Sequence, residues 1–226
     1  MPAMPPISLH VGGPGPAGGG APVVELMLLL TLLSFAPAIL IMFTSFVRIV
    51  IVLSLLRNAI GAPTVPPNMV VTGLALVLTM FTMAPTFQQV NAAALQPYLG
   101  GSLSMMQAVD RAQPPIRAFM FRQTHDRDVA LFMRMAHLGR PQTRDSVPTY
   151  VLVPAFVTSE LGTAFVLGTL VFLPFVVVDL VVSSTLLSLG MFMLPPTVIS
   201  LPVKLLLFVL TNGWERVVAG LVAGVH

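Results

Sequence analysis

The sequence predicts an all-α integral membrane protein in which two broken helical hairpins flank a charged, amphipathic helical region. Of the 226 residues, 56% are hydrophobic and 8% are charged, and the mean hydropathy is +0.93. Soluble domains carry about 25% charged residues, so this composition excludes an ordinary water-soluble globule. Eleven of the nineteen charged residues fall between positions 110 and 145, which leaves long apolar stretches on both sides.

The first part of the chain combines an arm with a hydrophobic hairpin. Residues 1–22 are rich in Pro and Gly and hold no charge. This composition predicts a disordered or extended arm and lacks the features of a signal peptide. Within the hairpin, residues 23–109, positions 26–47 form a charge-free run long enough to cross a membrane as a helix. We expect a polar turn from Arg48 to Pro67, because its prolines cannot continue a helix, and a second membrane segment over positions 68–90.

The charged region, residues 110–148, is predicted to be helical. Its apolar residues recur at spacings of three and four, with 125–128 interrupting the stripe, which indicates an amphipathic helix pair or one long helix. Pro114 and Pro115 are typical of a helix start. The final part, residues 149–226, holds two apolar stretches, 150–178 and 180–210, and both are interrupted by Gly, Pro and charged residues. Such interruptions require cover from neighbouring helices or a water-filled passage.

No residue pattern indicates catalysis, a metal or a cofactor. The chain has no Cys, which excludes disulfides and thiolate sites. His125, Asp126, Asp128 and His137 match no metal-binding spacing, and neither a phosphate-binding loop of the GxxxxGK[ST] type nor a GxSxG motif occurs. The net charge of +3 rests on so few groups that it gives no signal for nucleic acid binding.

Four charged residues lie in or beside the apolar segments. Each costs about 2.5–3.5 kcal/mol at the centre of a membrane helix, so each requires a partner or water. For Glu160 and Lys204, the sole lysine, we expect a salt bridge with each other, since mutual pairing offsets two buried charges. Contact with water at separate places is the alternative. For Arg48 we expect snorkelling at a helix end, and for Asp179 a position at a helix terminus.

A short apolar loop is predicted inside the last hydrophobic stretch. Met191, Phe192 and Met193 follow Gly190 and precede two prolines, which favours a loop over a packed helix. Methionine is flexible and soft, so several copies of such a loop around an axis would close a hole and reshape around a passing chain. Packing in a core is the alternative use of these side chains.

Several polar landmarks together resemble one family, the FliP/SctR family of type III secretion export-gate proteins. The resemblance covers residues 25–220, and its first landmarks lie in the first hairpin and in the charged region. These are Thr-Ser-Phe-Val-Arg-Ile-Val-Ile-Val-Leu-Ser-Leu-Leu-Arg-Asn-Ala at 44–59, Pro-Pro-Asn at 66–68, Phe119 with Met120, and Arg-Gln-Thr at 122–124. The remaining landmarks are Ser-Glu-Leu-Gly-Thr-Ala-Phe at 159–165, Pro174 with Phe175, Asp179 with Leu180, Gly-Met-Phe-Met-Leu-Pro-Pro at 190–196, the stretch 199–210, and Gly213 with Trp214.

The resemblance implies a non-enzymatic subunit of a helical pore complex in the bacterial inner membrane, at the flagellar basal body. Members assemble as five copies with FliQ-like and FliR-like subunits and further export-apparatus membrane proteins, and the channel admits unfolded export substrates. The resemblance makes Met191, Phe192 and Met193 the pore gasket, Glu160 and Lys204 a salt bridge between copies, and Phe119 and Phe132 packing residues between copies. Phe192 departs from the methionine common in the family, and Gly162 stands where lysine is common.

Three alternatives remain open at this stage. The injectisome branch of the same family is close, although Met-Leu-Pro-Pro and Arg-Gln-Thr favour the flagellar branch. A secondary transporter also uses intramembrane charges and broken helices, with Glu160, Asp179 or Lys204 binding ions. An intramembrane hydrolase using Glu160 or Asp179 is weaker, because no second catalytic group lies at a fitting spacing.

Overall fold

The computed structural model describes residues 21–139, 141 and 143–225, and every regular element within them is helical. Residues 40–226 form one compact unit, and the chain before residue 40 belongs to another. Residues 1–20 of the predicted arm lie outside the described residues, and Ala21 already begins the first helix. The α-helices are α1 Ala21–Phe43, α2 Phe46–Ile60, α3 Asn68–Val90, α4 Gln96–Leu99, α5 Met105–Gln123, α6 Asp126–Met135, α7 Thr149–Ser188, α8 Pro196–Leu210 and α9 Gly213–Ala223.

The first hairpin differs from the prediction at its turn. A single helix over 26–47 is wrong, because the chain breaks after Phe43 and α2 begins at Phe46. A polar turn beginning at Arg48 is also wrong, since the non-helical connection covers only positions 61–67. Gly61 ends α2 at a φ of 88°, a left-handed conformation that glycine adopts without strain. The Arg57 guanidinium closes the turn by donating to the Pro66 carbonyl at 3.0 Å and to Asn68 Oδ1 at 2.7 Å.

The second segment has the predicted bounds, Asn68–Val90, and the structure confirms it as α3. Pro67 directly precedes the first residue of α3. A proline fits at a helix start because backbone N–H groups there have no acceptor within the helix, so its missing N–H costs no hydrogen bond. The helix continues through a π-helical turn, Asn91–Leu95, into the short α4. A wider turn of this kind takes up one extra residue without ending the helix.

The charged region contains a helix pair, α5 and α6, so the first of the two predicted arrangements is confirmed. The start of α5 is set by Ser104, whose side chain accepts from the Gln107 N–H at 3.3 Å while Gln107 Oε1 accepts from the Ser104 N–H at 3.0 Å. This reciprocal cap satisfies two backbone donors at the helix N-terminus. The prediction that Pro114 and Pro115 mark the helix start is wrong, since both lie inside α5.

The second hairpin is less broken than predicted. Helix α7 runs without interruption for 40 residues, through Pro154, Pro174, both of its glycines and Asp179. A proline removes one backbone hydrogen bond, and the many others of so long a helix remain in place. The predicted break in the last stretch occurs after α7, where Gly190 has a φ of 73°. Helix α9 then follows α8 at a bend of 64°.

The buried core of residues 40–226 is centred on α7. Three clusters of buried side chains join α7 to the charged region, to α2 with α3, and to α8. Helices α2 and α7 approach closely at Gly168, where an added Cβ would lie 2.2 Å from Leu55 Cδ1. Two helical spans, Asn68–Leu99 and Thr149–Ser188, are long and apolar enough to cross a membrane, and two bent pairs raise the number to four among the described residues. This architecture confirms the predicted all-α membrane fold.

The four predicted regions, 1–22, 23–109, 110–148 and 149–226, stay a prediction. Within residues 40–226 the packing runs across their boundaries, since α2 of the first hairpin and α6 of the charged region both pack on α7.

Candidate functional site

The first feature of the candidate site is a buried ion pair between Arg48 and Glu160. Arg48 lies in the first turn of α2, and Glu160 lies in the first half of α7. Arg48 Nη2 is 2.5 Å from Glu160 Oε1, and the two side chains are 2% and 1% exposed. The expectation that Arg48 snorkels at a helix end is wrong. Arg48 points inward because the packing of α2 on α7 places the Glu160 carboxylate beside it, and a buried charge requires such a partner.

The pair belongs to a larger hydrogen-bond network. Arg48 Nη2 also donates to Gln123 Oε1 at 2.9 Å, and Nη1 donates to the Gly224 carbonyl at 2.6 Å. Gln123 Nε2 in turn donates to the Val225 carbonyl at 2.6 Å. Residues of α2, α5 and α7, and Gly224 directly after α9, therefore meet at one guanidinium. Among the described residues, Arg48 Nε and Glu160 Oε2 have no hydrogen-bond partner.

Sequence reasoning missed this network, although a signal for it existed. Arg48 has two apolar residues on each side, from Phe46 to Val50, and such flanks are compatible with a buried charge as well as with a helix end near water. Buried charges are found paired, and Glu160 was the one acidic residue predicted to need a cationic partner.

A second ion pair joins α7 to α8. Lys204 Nζ lies 2.6 Å from Asp179 Oδ2, and the side chains are 8% and 39% exposed. Asp179 lies nine residues before the end of α7, so the expectation that it marks a helix terminus is wrong. Within one chain, the predicted partners Glu160 and Lys204 each bind a different residue. A salt bridge between Glu160 of one copy and Lys204 of another stays a prediction.

The apolar loop between α7 and α8 has the predicted position and conformation. Residues 189–195 are non-helical, with Met191, Phe192 and Met193 at the exposed tip. The exposed fraction reaches 76% for Phe192 and 97% for Met193. Three neighbouring exposed apolar side chains form a surface that favours contact with another apolar surface. Their role as a gasket stays a prediction.

The two phenylalanines predicted to pack between copies occupy different environments. Phe119 is buried, and its ring meets the Phe156 ring edge-to-face with centroids 5.8 Å apart. Phe132 is partly buried against the same cluster. Phe119 thus supports the chain's own core, and a contact of Phe119 or Phe132 with a neighbouring copy stays a prediction.

The polar residues around His125 connect α6 to α7. Ser159 Oγ donates to Asp128 Oδ2 at 2.5 Å and accepts from the His125 backbone N–H at 3.0 Å. In the described part of the chain, no group of three or more His, Asp or Glu side chains is placed to hold a metal ion. This arrangement accounts for His125 and Asp128 as helix-packing contacts.

Long apolar helices with ion pairs between them define the class of this chain as a helical membrane protein. Comparison with known protein families then identifies its family, because the model of the FliP family matches residues 29–221. The chain belongs to the FliP family.

Individual relatives agree with this assignment. The flagellar biosynthetic protein FliP of Pectobacterium carotovorum is 53% identical over 198 residues, which are 88% of this chain and 77% of the relative. The protein of the same name from Bacillus subtilis is 50% identical over 198 residues, 88% of this chain and 90% of the relative. That of Aquifex aeolicus is 46% identical over 221 residues, 97% of this chain and 91% of the relative. The chain is thus a membrane component of the flagellar export apparatus.

Proposed function

We propose that five copies of this chain, together with FliQ-like and FliR-like subunits, surround a channel through which unfolded flagellar proteins cross the bacterial inner membrane at the basal body. Further export-apparatus membrane proteins adjoin the complex. The chain contributes no catalytic step and needs no cofactor. In the closed channel, Met191, Phe192 and Met193 of every copy meet at the axis and seal it.

The observation that carries this proposal is the exposed apolar loop at the tip of the α7–α8 hairpin. Met193 is 97% exposed, and removing apolar side chains of this size from water stabilises the assembly that covers them. Copies arranged around an axis would cover one another's tips. The Lys204–Asp179 pair supports the seal, since it joins the two helices that carry the loop and so limits its movement.

Contacts between copies are part of the proposal. Lys204 Nζ donates to one oxygen of Asp179 and retains further donor capacity, and Glu160 Oε2 has no partner among the described residues. A contact between Glu160 of one copy and Lys204 of the next would pair these groups. Because Oε2 is buried in the single chain, this contact requires the side chains around Glu160 to move on assembly. Phe119 and Phe132 would support the ring from the charged region.

None of the three alternatives, the injectisome branch, the secondary transporter and the intramembrane hydrolase, is favoured by a specific observation. All four intramembrane charges have a partner within the chain, so none of them requires a bound ion. A secondary transporter therefore gains no support. The names of the relatives support the flagellar branch over the injectisome branch.

The seal is tested by replacing Met191, Phe192 and Met193 with alanine in the chain co-expressed with its FliQ-like and FliR-like subunits. We expect unchanged assembly, with five copies by native mass spectrometry, and a raised ion conductance of the complex in planar bilayers. Replacement of the same three residues by leucine retains the apolar volume and should preserve the seal. Equal conductance of the alanine, leucine and native complexes would refute the gasket, and a single copy in the purified complex would refute the channel.

A further inference from the structure

We propose that Arg48 and Gln123 form a clasp that captures the segment 220–225, which acts as a strap over the buried Arg48–Glu160 pair. The strap is defined as the end of α9 together with Gly224 and Val225. The inference concerns the fold of the chain itself and is independent of the proposed channel.

The strap is held by two hydrogen bonds to its main chain. Arg48 Nη1 donates to the Gly224 carbonyl and Gln123 Nε2 to the Val225 carbonyl, both at 2.6 Å. The last carbonyls of a helix have no partner within the helix, and the helix dipole makes this end negative. A buried cation is therefore a favourable partner for the end of α9. Main-chain carbonyls accept these bonds, so the clasp recognises the position of the backbone and is indifferent to the side chains there.

The side chains of the strap enter two separate parts of the core. Leu221 is buried in the cluster formed by α2, α3 and α7, and Val225 is buried in the cluster formed by the charged region and α7. Both are less than 5% exposed. The two part-buried hydrogen bonds of the clasp thus lie between two apolar anchors, which fix the backbone of the strap on both sides of them.

Opening of the strap and exposure of the ion pair are coupled. If the strap moves away, Arg48 Nη1 loses the Gly224 carbonyl as its acceptor. Gln123 then loses the Val225 carbonyl, one of its two partners in the network. Conversely, loss of the interaction between Arg48 and Gln123 Oε1 leaves the Gln123 amide less firmly oriented for its bond to the Val225 carbonyl. By reciprocity the two events share one coupling free energy, so a change at Gln123 on α5 must alter the accessibility of the strap. The strap is a built-in element that closes only when α2, α5 and α7 are correctly packed.

Cysteine labelling tests the clasp, because the chain has no cysteine of its own. Val225→Cys places a thiol at a buried strap position, and Ala223→Cys places one at an exposed position two residues earlier. In the detergent-purified full chain and in the co-expressed complex, we expect a maleimide to label position 225 at least about tenfold more slowly than position 223. Equal labelling rates at the two positions in the native background would overturn the proposal.

A second pair of variants separates the clasp from simple apolar burial. Gln123→Met removes the donor to Val225 and retains the side-chain volume, and Gln113→Met makes the same replacement at an exposed position of α5. We expect Gln123→Met to accelerate labelling at position 225 several-fold and Gln113→Met to leave it unchanged. Hydrogen exchange of segment 220–225 in chains without introduced cysteine gives the same comparison. If the two methionine variants behave alike in both measurements, burial alone holds the strap and the clasp is wrong.

Discussion

Replacement of Glu160 by leucine would leave Arg48 as an uncompensated charge inside the protein. Both side chains are almost fully buried, at 1% and 2% exposure, so water cannot substitute for the lost carboxylate. Removal of one partner of a buried pair costs about 3–5 kcal/mol. For a chain of this size that loss corresponds to a decrease of about 6–20 °C in the melting temperature, at 2–4 °C per kcal/mol. Arg48→Met should produce a loss of the same order, because it leaves Glu160 unpaired.

For the double variant Arg48→Met with Glu160→Leu, we expect a much smaller loss of stability than for either single variant. With both charges gone, apolar side chains of similar volume fill the space, and such replacements are often neutral or stabilising. The melting temperature of the double variant should therefore recover most of the native value, apart from the contribution of the Gly224 and Gln123 hydrogen bonds. The two single variants, the double variant and the native chain form a double-mutant cycle that isolates the coupling between the residues.

The measurement is thermal unfolding of the detergent-purified full chain, followed by circular dichroism at one fixed scan rate. Glu160→Gln is a useful control, since it retains shape and one acceptor while removing the charge. If the single variants have the melting temperature of the native chain, its stability does not require the buried pair and the reasoning is refuted. Additive losses in the double variant would show that the two side chains do not interact, which is incompatible with their 2.5 Å separation.

Two further predictions concern the helix contacts of α7. Gly168→Val should lower the melting temperature, because an added Cβ lies 2.2 Å from Leu55 Cδ1 and overpacking costs about 1–3 kcal/mol. Gly162→Val on the same helix is the matched control, because a Cβ added at Gly162 meets no neighbouring atom of the described residues within 4 Å. If both valine variants melt alike, the close approach of α2 and α7 is wrong. Lys204→Met should destabilise the chain less than Arg48→Met, because Asp179 is 39% exposed and keeps access to solvent. Equal losses in these two variants would contradict that difference in burial.

Most of the helical layout could be predicted from the sequence, because it follows from patterns that act locally. The bounds of α3 were predicted correctly, since Pro67 and the uncharged run after it specify a helix start without tertiary contacts. The pair α5 and α6 followed from the three–four spacing of apolar residues and its interruption at 125–128. Proline was the less reliable signal, because Pro114, Pro115 and Pro174 all lie inside helices whose neighbouring hydrogen bonds hold them.

The sequence indicates which charged residues of the candidate site need partners, but it does not indicate which residues pair with each other. The cost of burying charge identified Glu160 and Lys204 as residues that need partners, and both have one. Their partners depend on which faces of α2, α7 and α8 meet, and that information is not local. Arg48 was missed for the same reason: a charge between two apolar runs is compatible with a helix end near water and with a buried pair, and tertiary packing decides between them.

The length of α7 has a consequence for how the protein is accommodated in the cell. Its 40 residues extend about 60 Å at 1.5 Å each, twice the roughly 30 Å of a bilayer's hydrocarbon layer. Even at a tilt of about 40°, roughly 45 Å remain along the membrane normal. Part of a helix with a lipid-like surface must therefore stand outside the lipid. Within the chain, α2 and α6 pack against the first half of α7 and cover it with protein, so a 40-residue apolar helix does not need a membrane of double thickness.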